Sequence, residues 1–302
     1  MAVAVLAGGS GGAKLARGML DVVGPEGLAV IANTGDDVEI YGAHVSPDPD
    51  LVTWWLADVI DERGWGIEGD TFNVMDALRE AGREVWFNLG DRDLALCIVR
   101  SEALARGERL TEAHARVCRA VGVNVRVLPM SDNPVRTFVR VHGEWRAFQE
   151  FMIQERGSEP EDVDLRALER AQPTPEVLDA IAGSDAVVIG PSNPIVSIGP
   201  ILEVPGMRDA IEASQAPVVA VSPFVGGHAV KGPTEAFCRM AGLPVGPLAV
   251  VEAYEGLVDG LVSDEPVPDA GMPVLQIPTL MDTPDARREL AQRTLDFARA
   301  LA

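Results

Sequence analysis

The chain has 302 residues and a formal charge of −21. That length is enough for one large α/β domain or two modest ones, and a surface this acidic repels nucleic acid and anionic membranes, since both need a basic patch. No apolar run approaches the roughly 20 residues of a membrane-spanning helix, and the opening MAVAVLAGG lacks a charged leader segment, so a cytoplasmic protein is expected.

AVAVLA (2–7) reads as a short buried strand closed by glycine, and AKLARGMLDVV (13–23), with apolar spacing near 3.6, as a helix. LAVIAN (28–33) is a second strand, and DLVTWWLADVIDE (50–62) returns to helical period with Trp54, Trp55 and Val59 able to share a face. TFNVMDALREAG (71–82) is a helix stopped by Gly82, and VWFNL (85–89) a short strand. DLALCIVRSEALARG (93–107) and LTEAHARVCRAVG (110–122) are helices ending at glycine, and NVRVLPM (124–130) is a strand. TFVRV and EWRAFQEFMI flank His142-Gly143 as a β-hairpin, and the polar stretch 156–176 reads as an insertion or lid. Helix PEVLDAIAGS, strand DAVVIG (185–190), helix MRDAIEAS, strand PVVAVS (217–222) and helix TEAFCRMAG restore the alternation. LAVVEAY, VLQIPTL and a terminal helix from about Pro284 to Ala302 close the chain. The rhythm predicts one α/β domain, a mostly parallel sheet with helices on both faces, its core at 1–134 and 177–302 with an insertion at 135–176.

Three cysteines without CxxC spacing and four scattered histidines argue against a disulfide framework or a transition-metal site. The loops after the predicted strands carry the chemistry: AGGSGG, NTGDD, NLGDRD, PMSDNP, IGPSNP and SPFVGG would line one crevice if their strands share a sheet. GGSGGAK (8–14) offers backbone N–H groups at a helix start, a natural anion site, and equally reads as a tight turn. It is not a P-loop, since Ala13 and Leu15 stand where glycine and Ser/Thr are needed, and Lys14 breaks the dinucleotide fingerprint. Asp36, Asp37, Asp48 and Asp50 gather beside it. Asp50 suits a helix N-cap and Asp48 the SPDPD turn; together the four offer the hard oxygens that Mg²⁺ takes alongside substrate phosphate. Arg92 in NLGDRD is aimed at phosphate and oriented by Asp91 or Asp93 on one reading, and sits in a loop ion pair on the other; PMSDNPVRT and GPSNPIVSIGP supply hydroxyls, amides and Arg136 in proline-stiffened loops suited to positioning. The absence of a Gly-x-Ser-x-Gly elbow and of a Cys–His signature makes nucleophilic catalysis the weaker idea.

Taken in order, GGSGGAK, NTGDDVEIYGAHVSPDPD, RGWGIEGDTF, LGDRDLA, LPMSDNPVRT, FQEF, IGPSNPIVSIGPIL, VPGMRDAI, SPFVGG and TLM resemble the 2-phospho-L-lactate transferase family (CofD, also called FbiA) over residues 8–281. The resemblance implies a Rossmann-like fold, a homodimer, and Mg²⁺-dependent transfer of a phospholactyl, enolpyruvyl or glyceryl relative from a guanylyl donor. The acceptor would be the ribityl hydroxyl of the deazaflavin Fo in coenzyme F(420) assembly, with GMP leaving. It associates Asp50 with the deazaflavin. Asn88 departs from the basic residue common before LGDRD, and Pro49 stiffens the SPDxD turn. With that chemistry, Asp36 and Asp37 are expected on the metal with Asp48 as a further ligand. Gly9, Ser10, Gly11, Gly12 and Lys14 are expected around the diphosphate, and Arg92 and Arg136 on phosphate oxygens. Asn88, Ser192 and Asn193 are expected to contact substrate, and Asp50 to orient or deprotonate the attacking hydroxyl. The competing readings are a UDP-sugar-binding regulator like the YvcK group, which lacks the SPDxD, WGI and LGDRD pattern, and an NAD-type oxidoreductase, which the broken fingerprint disfavours.

Overall fold

Seven parallel strands form the central sheet of the computed structural model, which describes residues 1–302. They are β1 (Val3–Ala7), β2 (Leu28–Ala32), β3 (Arg126–Pro129), β4 (Ala186–Ile189), β5 (Val218–Val221), β6 (Gly260–Ser263) and β7 (Val274–Gln276). Across the sheet they run β7-β6-β5-β4-β1-β2-β3. The inner strands are near-continuous apolar runs because both faces of a parallel sheet are covered. In β1, Val3, Val5 and Ala7 enter one core while Ala4 and Leu6 enter the other, as the two-residue period of a strand requires. Helix α1 (Gly9–Val23) and the C-terminal helix Pro284–Leu301 cover the first face; Pro175–Ala182 and Met207–Ser214 cover the second. No helix is long and apolar enough to cross a membrane.

The expected α/β architecture is present, with a Rossmann strand order. The chain builds outward from β1 through β2 to β3, then returns to lay β4 on the other side of β1. That reversal opens a crevice beyond the carboxyl ends of β1 and β4, where open α/β sheets bind ligands. Two excursions wall it. Between β2 and β3 lie the hairpin Val38–Ile40/Ala43–Val45 and helices α2 (Pro47–Leu56), α3 (Asn73–Glu80), α4 (Asp91–Ala105) and α5 (Leu110–Ala120). Between β3 and β4, Arg136–Val141 pairs antiparallel with Glu144–Ala147 through the expected turn at His142-Gly143, and helix α6 (Phe148–Gln154) follows. Part of the stretch read as a lid, Asp162–Arg166, is the third strand of this small sheet.

Four local expectations need correction. GGSGG is not a loop ahead of a helix: α1 begins at Gly9, so the glycines are its first turn. Asp50 is not an N-cap. Ser46 takes that position, Pro47 opens α2 with its preset φ, and Asp48 and Asp50 both lie in the first turn. VWFNL is not a strand, because no sheet edge reaches it; the Trp86 and Phe87 rings stack at 5.6 Å and the Phe87 amide donates to the Tyr41 hydroxyl at 3.2 Å. The PMSDNP loop does not join the crevice. Asp132 turns to the start of α5, accepting from the Thr111 amide at 2.8 Å and from its hydroxyl at 2.7 Å. Strand β6 went unread in the sequence, four residues between two glycine turns being too short for a periodic signal.

Candidate active site

A single open cavity of about 680 Å³ occupies the crevice. Its floor is the contact between the first turn of α1 and the loop after β4. A Cβ on Gly11 would sit 1.9 Å from the Pro191 carbonyl oxygen, and one on Gly12 would sit 2.9 Å from the Ala7 Cα and 3.0 Å from the Ser192 Oγ. These glycines are required by the close approach of two backbones. Gly9, Ser10 and Gly11 line the cavity; Gly12 is buried beneath it. Ser192 lines it while its hydroxyl donates to the Gly8 carbonyl. Asn193 lines it while its Oδ1 accepts from the Ile195 and Val196 amides at 2.9 and 3.2 Å, capping the turn that follows.

The four aspartates divide into two systems. Asp48 accepts from the Gly9 amide at 2.7 Å, placing a carboxylate on the N-terminus of α1. Asn33, at the end of β2, donates one amide group to both Asp48 (3.0 Å) and Asp36 (3.1 Å). Both carboxylates are buried, both line the cavity, and neither meets a cation. Burial and the neighbouring Asp48 push Asp36 well above the carboxylate range. Burial also raises Asp48, to about 6, against the pull of the Gly9 and Asn33 hydrogen bonds. Asp37 faces the other way: its oxygens accept from the Ser46 hydroxyl at 2.7 Å and from the His44 ring at 2.9 Å, outside the cavity lining. Asp50 is gripped by Arg100 through two 2.7 Å bonds, and Arg100, wholly buried, also donates to the His44 carbonyl.

Two buried carboxylates sharing one amide without a balancing charge fit a hard divalent cation, so Asp36 and Asp48 would hold it. Asp37 is already engaged on both oxygens. Ligand atoms of Asp50, Asp93 and Cys97 also lie within 4.8 Å of one another, but the Arg100 guanidinium fills both Asp50 oxygens and a thiol is a poor ligand for Mg²⁺.

Lysine occurs in the chain only as Lys14 and Lys231, and both line the cavity. Neither makes an ion pair. Lys14 lies 5.6 Å from the Trp55 ring centroid and Lys231 4.7 Å from that of Trp65. Burial, then repulsion from Lys231 and Arg287, lowers the Lys14 pKa. Lys231 donates to the Arg63 carbonyl at 3.3 Å; on a protein of charge −21, two lysines without an ion pair lining one cavity would suit an anion. Arg92 and Arg136 are outside the lining; the first is exposed and donates to the Glu68 carbonyl at 3.2 Å, the second to the Val135 carbonyl at 2.9 Å. Asn88 is at the cavity edge with its Oδ1 accepting from Arg79 at 2.7 Å.

The family model for the 2-phospho-L-lactate transferase CofD matches residues 3–282. The chain belongs to the CofD family. It is 40% identical over 318 aligned positions to a phosphoenolpyruvate transferase of Kitasatospora aureofaciens, covering 99% of this chain and 98% of that one. It is 37% identical to a 2-phospho-L-lactate transferase of Methanosarcina mazei, covering 95% and 97%. A solved structure of a UPF0052-family protein from Bacillus halodurans shares the fold, with a TM-score of 0.62 at 16% identity over 98% of this chain and 100% of that one. This CofD-family chain is therefore a transferase, and the cavity is the candidate site of transfer.

Several residues of this CofD site were not singled out from the sequence. Asn33 was read only as the end of a strand, although its amide ties Asp36 to Asp48. Asp93, expected only as an orienter of Arg92, stands with Cys97 and Arg100 at i, i+4 and i+7 of α4, a spacing that puts the three on one helix face. Trp54, Trp65, Trp86 and Phe87 also line the cavity; they come from three separate segments, and nothing local in the sequence brings them together.

Proposed function

We propose that the chain transfers a phospholactyl-type or phosphoenolpyruvyl group from a guanylyl diphosphate donor to the ribityl hydroxyl of the deazaflavin Fo, releasing GMP. The observation that carries this reading is the pairing, in one cavity, of Asp48, bonded to the first amide of α1 and tied to Asp36 through Asn33, with the aromatic side chains of Trp54, Trp65, Trp86 and Phe87. An anionic, metal-bound diphosphate suits the first part, and a planar tricyclic ring suits the second. Relatives named as phosphoenolpyruvate transferase and 2-phospho-L-lactate transferase support the transferred group.

In this reading the Gly9–Gly11 turn, Lys14 and Lys231 receive the diphosphate, with Ser192 and Asn193 beside it. A Mg²⁺ held by Asp36 and Asp48 would neutralise charge that builds on the bridging oxygens. Asp37, bonded to Ser46 and His44, fixes the start of α2 to the Ala43–Val45 strand and takes no part in holding the metal. The protein's own contribution is orientation and charge placement. Purified protein incubated with Fo, Mg²⁺ and each guanylyl donor, followed by mass spectrometry, should yield the phosphodiester of Fo and GMP. The preferred donor identifies the three-carbon acid. Tight binding of a UDP-sugar with no Fo turnover would replace the reading with a regulatory one. Asp36→Asn should raise the Mg²⁺ requirement or abolish turnover; unchanged activity and Mg²⁺ dependence would remove Asp36 from the metal.

A further inference from the structure

We propose that Asp93, not Asp50, accepts the proton of the attacking hydroxyl; the assignment rests on the transfer reading above. Five carboxylates line the cavity, and four of them are tied. Asp36 and Asp48 are tied to Asn33, and Asp48 also to the Gly9 amide. Asp70 accepts from the Thr71 and Arg92 amides on one oxygen and from the Asp93 amide on the other, which fixes the start of α4. Both oxygens of Asp50 are filled by Arg100 at 2.7 Å. With both oxygens taken up by the guanidinium fork, Asp50 has none free to receive the hydroxyl. Asp93 lines the same cavity and meets no cation and no N–H or O–H donor; its one contact of this kind is the Cys97 thiol at 3.8 Å.

Asp93 is half-buried; withdrawing a carboxyl from water without a partner is costly, and folds retain one where it has work to do. The groups that face Asp93 set its affinity for protons. Burial raises it and the Asp50 carboxylate across from it raises it further. Arg100 pulls back, Asp70 pushes up, and the Cys97 thiol pulls back slightly, leaving Asp93 at about 7. His114, behind Arg100, is held neutral by burial and adds no charge. A base titrating near working pH accepts a proton in one step and returns it to water in the next. Asp50 and Arg100 thus act through Asp93, as positioning and tuning residues.

The step balances without a further reactant. The hydroxyl oxygen of Fo forms a bond to the phosphorus that bears the three-carbon acid. The bond from that phosphorus to the bridging oxygen breaks, and its electron pair leaves on the phosphate of GMP. The hydroxyl proton passes to the Asp93 carboxylate and then to solvent.

The test compares full-length wild type, Asp93→Asn and Asp93→Glu at saturating Mg²⁺ across pH 5.5–9, with Fo binding followed by its own absorbance or fluorescence. Wild-type kcat should fall on the acid side of about 7. Asp93→Asn should lose roughly 10²–10⁴-fold in kcat and lose that acid limb, while Fo binding and melting temperature hold. Asp93→Glu, which keeps the base at a shifted reach, should recover part of the rate and the limb. Asp93→Asn with kcat within about threefold of wild type, or with the acid limb intact, overturns the assignment. Wild type that turns over no donor fails at the transfer reading itself, an outcome distinct from an active wild type with an active Asn variant.

Discussion

The Asp50–Arg100 pair shows how little a residue's type says about its task. Asp50 stands in a motif that suggests contact with substrate, yet both of its oxygens are spent on a guanidinium that is itself fully buried. Removing one partner of such a pair leaves an uncompensated buried charge, which typically costs about 3–5 kcal/mol. Arg100→Met should therefore lower stability on that scale in urea denaturation, and Arg100→Lys should rescue poorly, because one ammonium cannot replace the fork that reaches Asp50 and the His44 carbonyl together. A loss under about 1 kcal/mol would show that the pair is not sealed from water. The two lysines are the opposite case, charges without an ion pair. Lys14→Met and Lys231→Met should each raise the KM for an anionic donor by roughly tenfold, the size of one charged hydrogen bond, and Lys14→Met should leave Fo binding unchanged. Equal weakening of both substrates would point to a collapsed cavity instead of a lost anion contact.

At the scale of elements, the glycine turn carries most of the design. Sequence alone left it between a phosphate cradle and a tight turn, and the structure gives each glycine its own reason. Gly9 has φ +62° and its amide is held by Asp48, whereas Gly11 and Gly12 let α1 press against the loop after β4. Gly11→Ala would drive a methyl into the Pro191 carbonyl, so the first turn of α1 and the loop after β4 must part. Overpacking of this kind costs typically about 1–3 kcal/mol, and both the melting temperature and donor affinity should fall. Wild-type values for both would mean the turn and the loop separate freely. The same scale explains the failed strand at 85–89 and the loop at 129–134. Each has the composition of its expected state, but a strand needs an edge to pair with, and Asp132 found the amide of Thr111 before any ligand could. The long helices and buried strands were legible because their periodicity is local. The partners of Asp37, Asp50 and Asp132 were not, because each lies on another element.

For the whole molecule, buried acids set the pH dependence. Asp93 rises from 3.8 to about 7 on folding, so between those values the folded state holds a proton that the unfolded chain has lost. Its contribution is full below about 4 and disappears as pH rises through 7. Burial alone would lower His44, but its bonds to Asp37 and Glu39 raise it from 6.5 to about 9; its contribution is full below 6.5 and is lost as pH rises through 9. His114, lowered by burial to about 4, opposes them, since below 6.5 the unfolded chain takes up a proton that the fold refuses. Asp36 and Asp48 act with Asp93 when no metal is bound. The metal-free protein should be more stable to urea near pH 6 than near pH 8, and saturating Mg²⁺ should narrow the gap. A metal-free optimum at pH 8 or above would contradict this balance.

The α/β class, the covered parallel strands and the family are legible in the amino-acid order, because strand and helix periods and an ordered set of loops are properties of neighbouring residues. That order also marked Gly9, Lys14, Asp36 and Asp48, which do line the cavity, since short motifs at strand ends carry their own backbone geometry. Only the tertiary structure decided which carboxylates are tied and which is free. Arg100 is 50 residues from Asp50, Asn33 is 15 from Asp48, and Trp86 is 32 from Trp54 (86 − 54). Hydrogen bonds and burial are made across space, so the proton affinity of a group such as Asp93 exists only once the chain has closed around it.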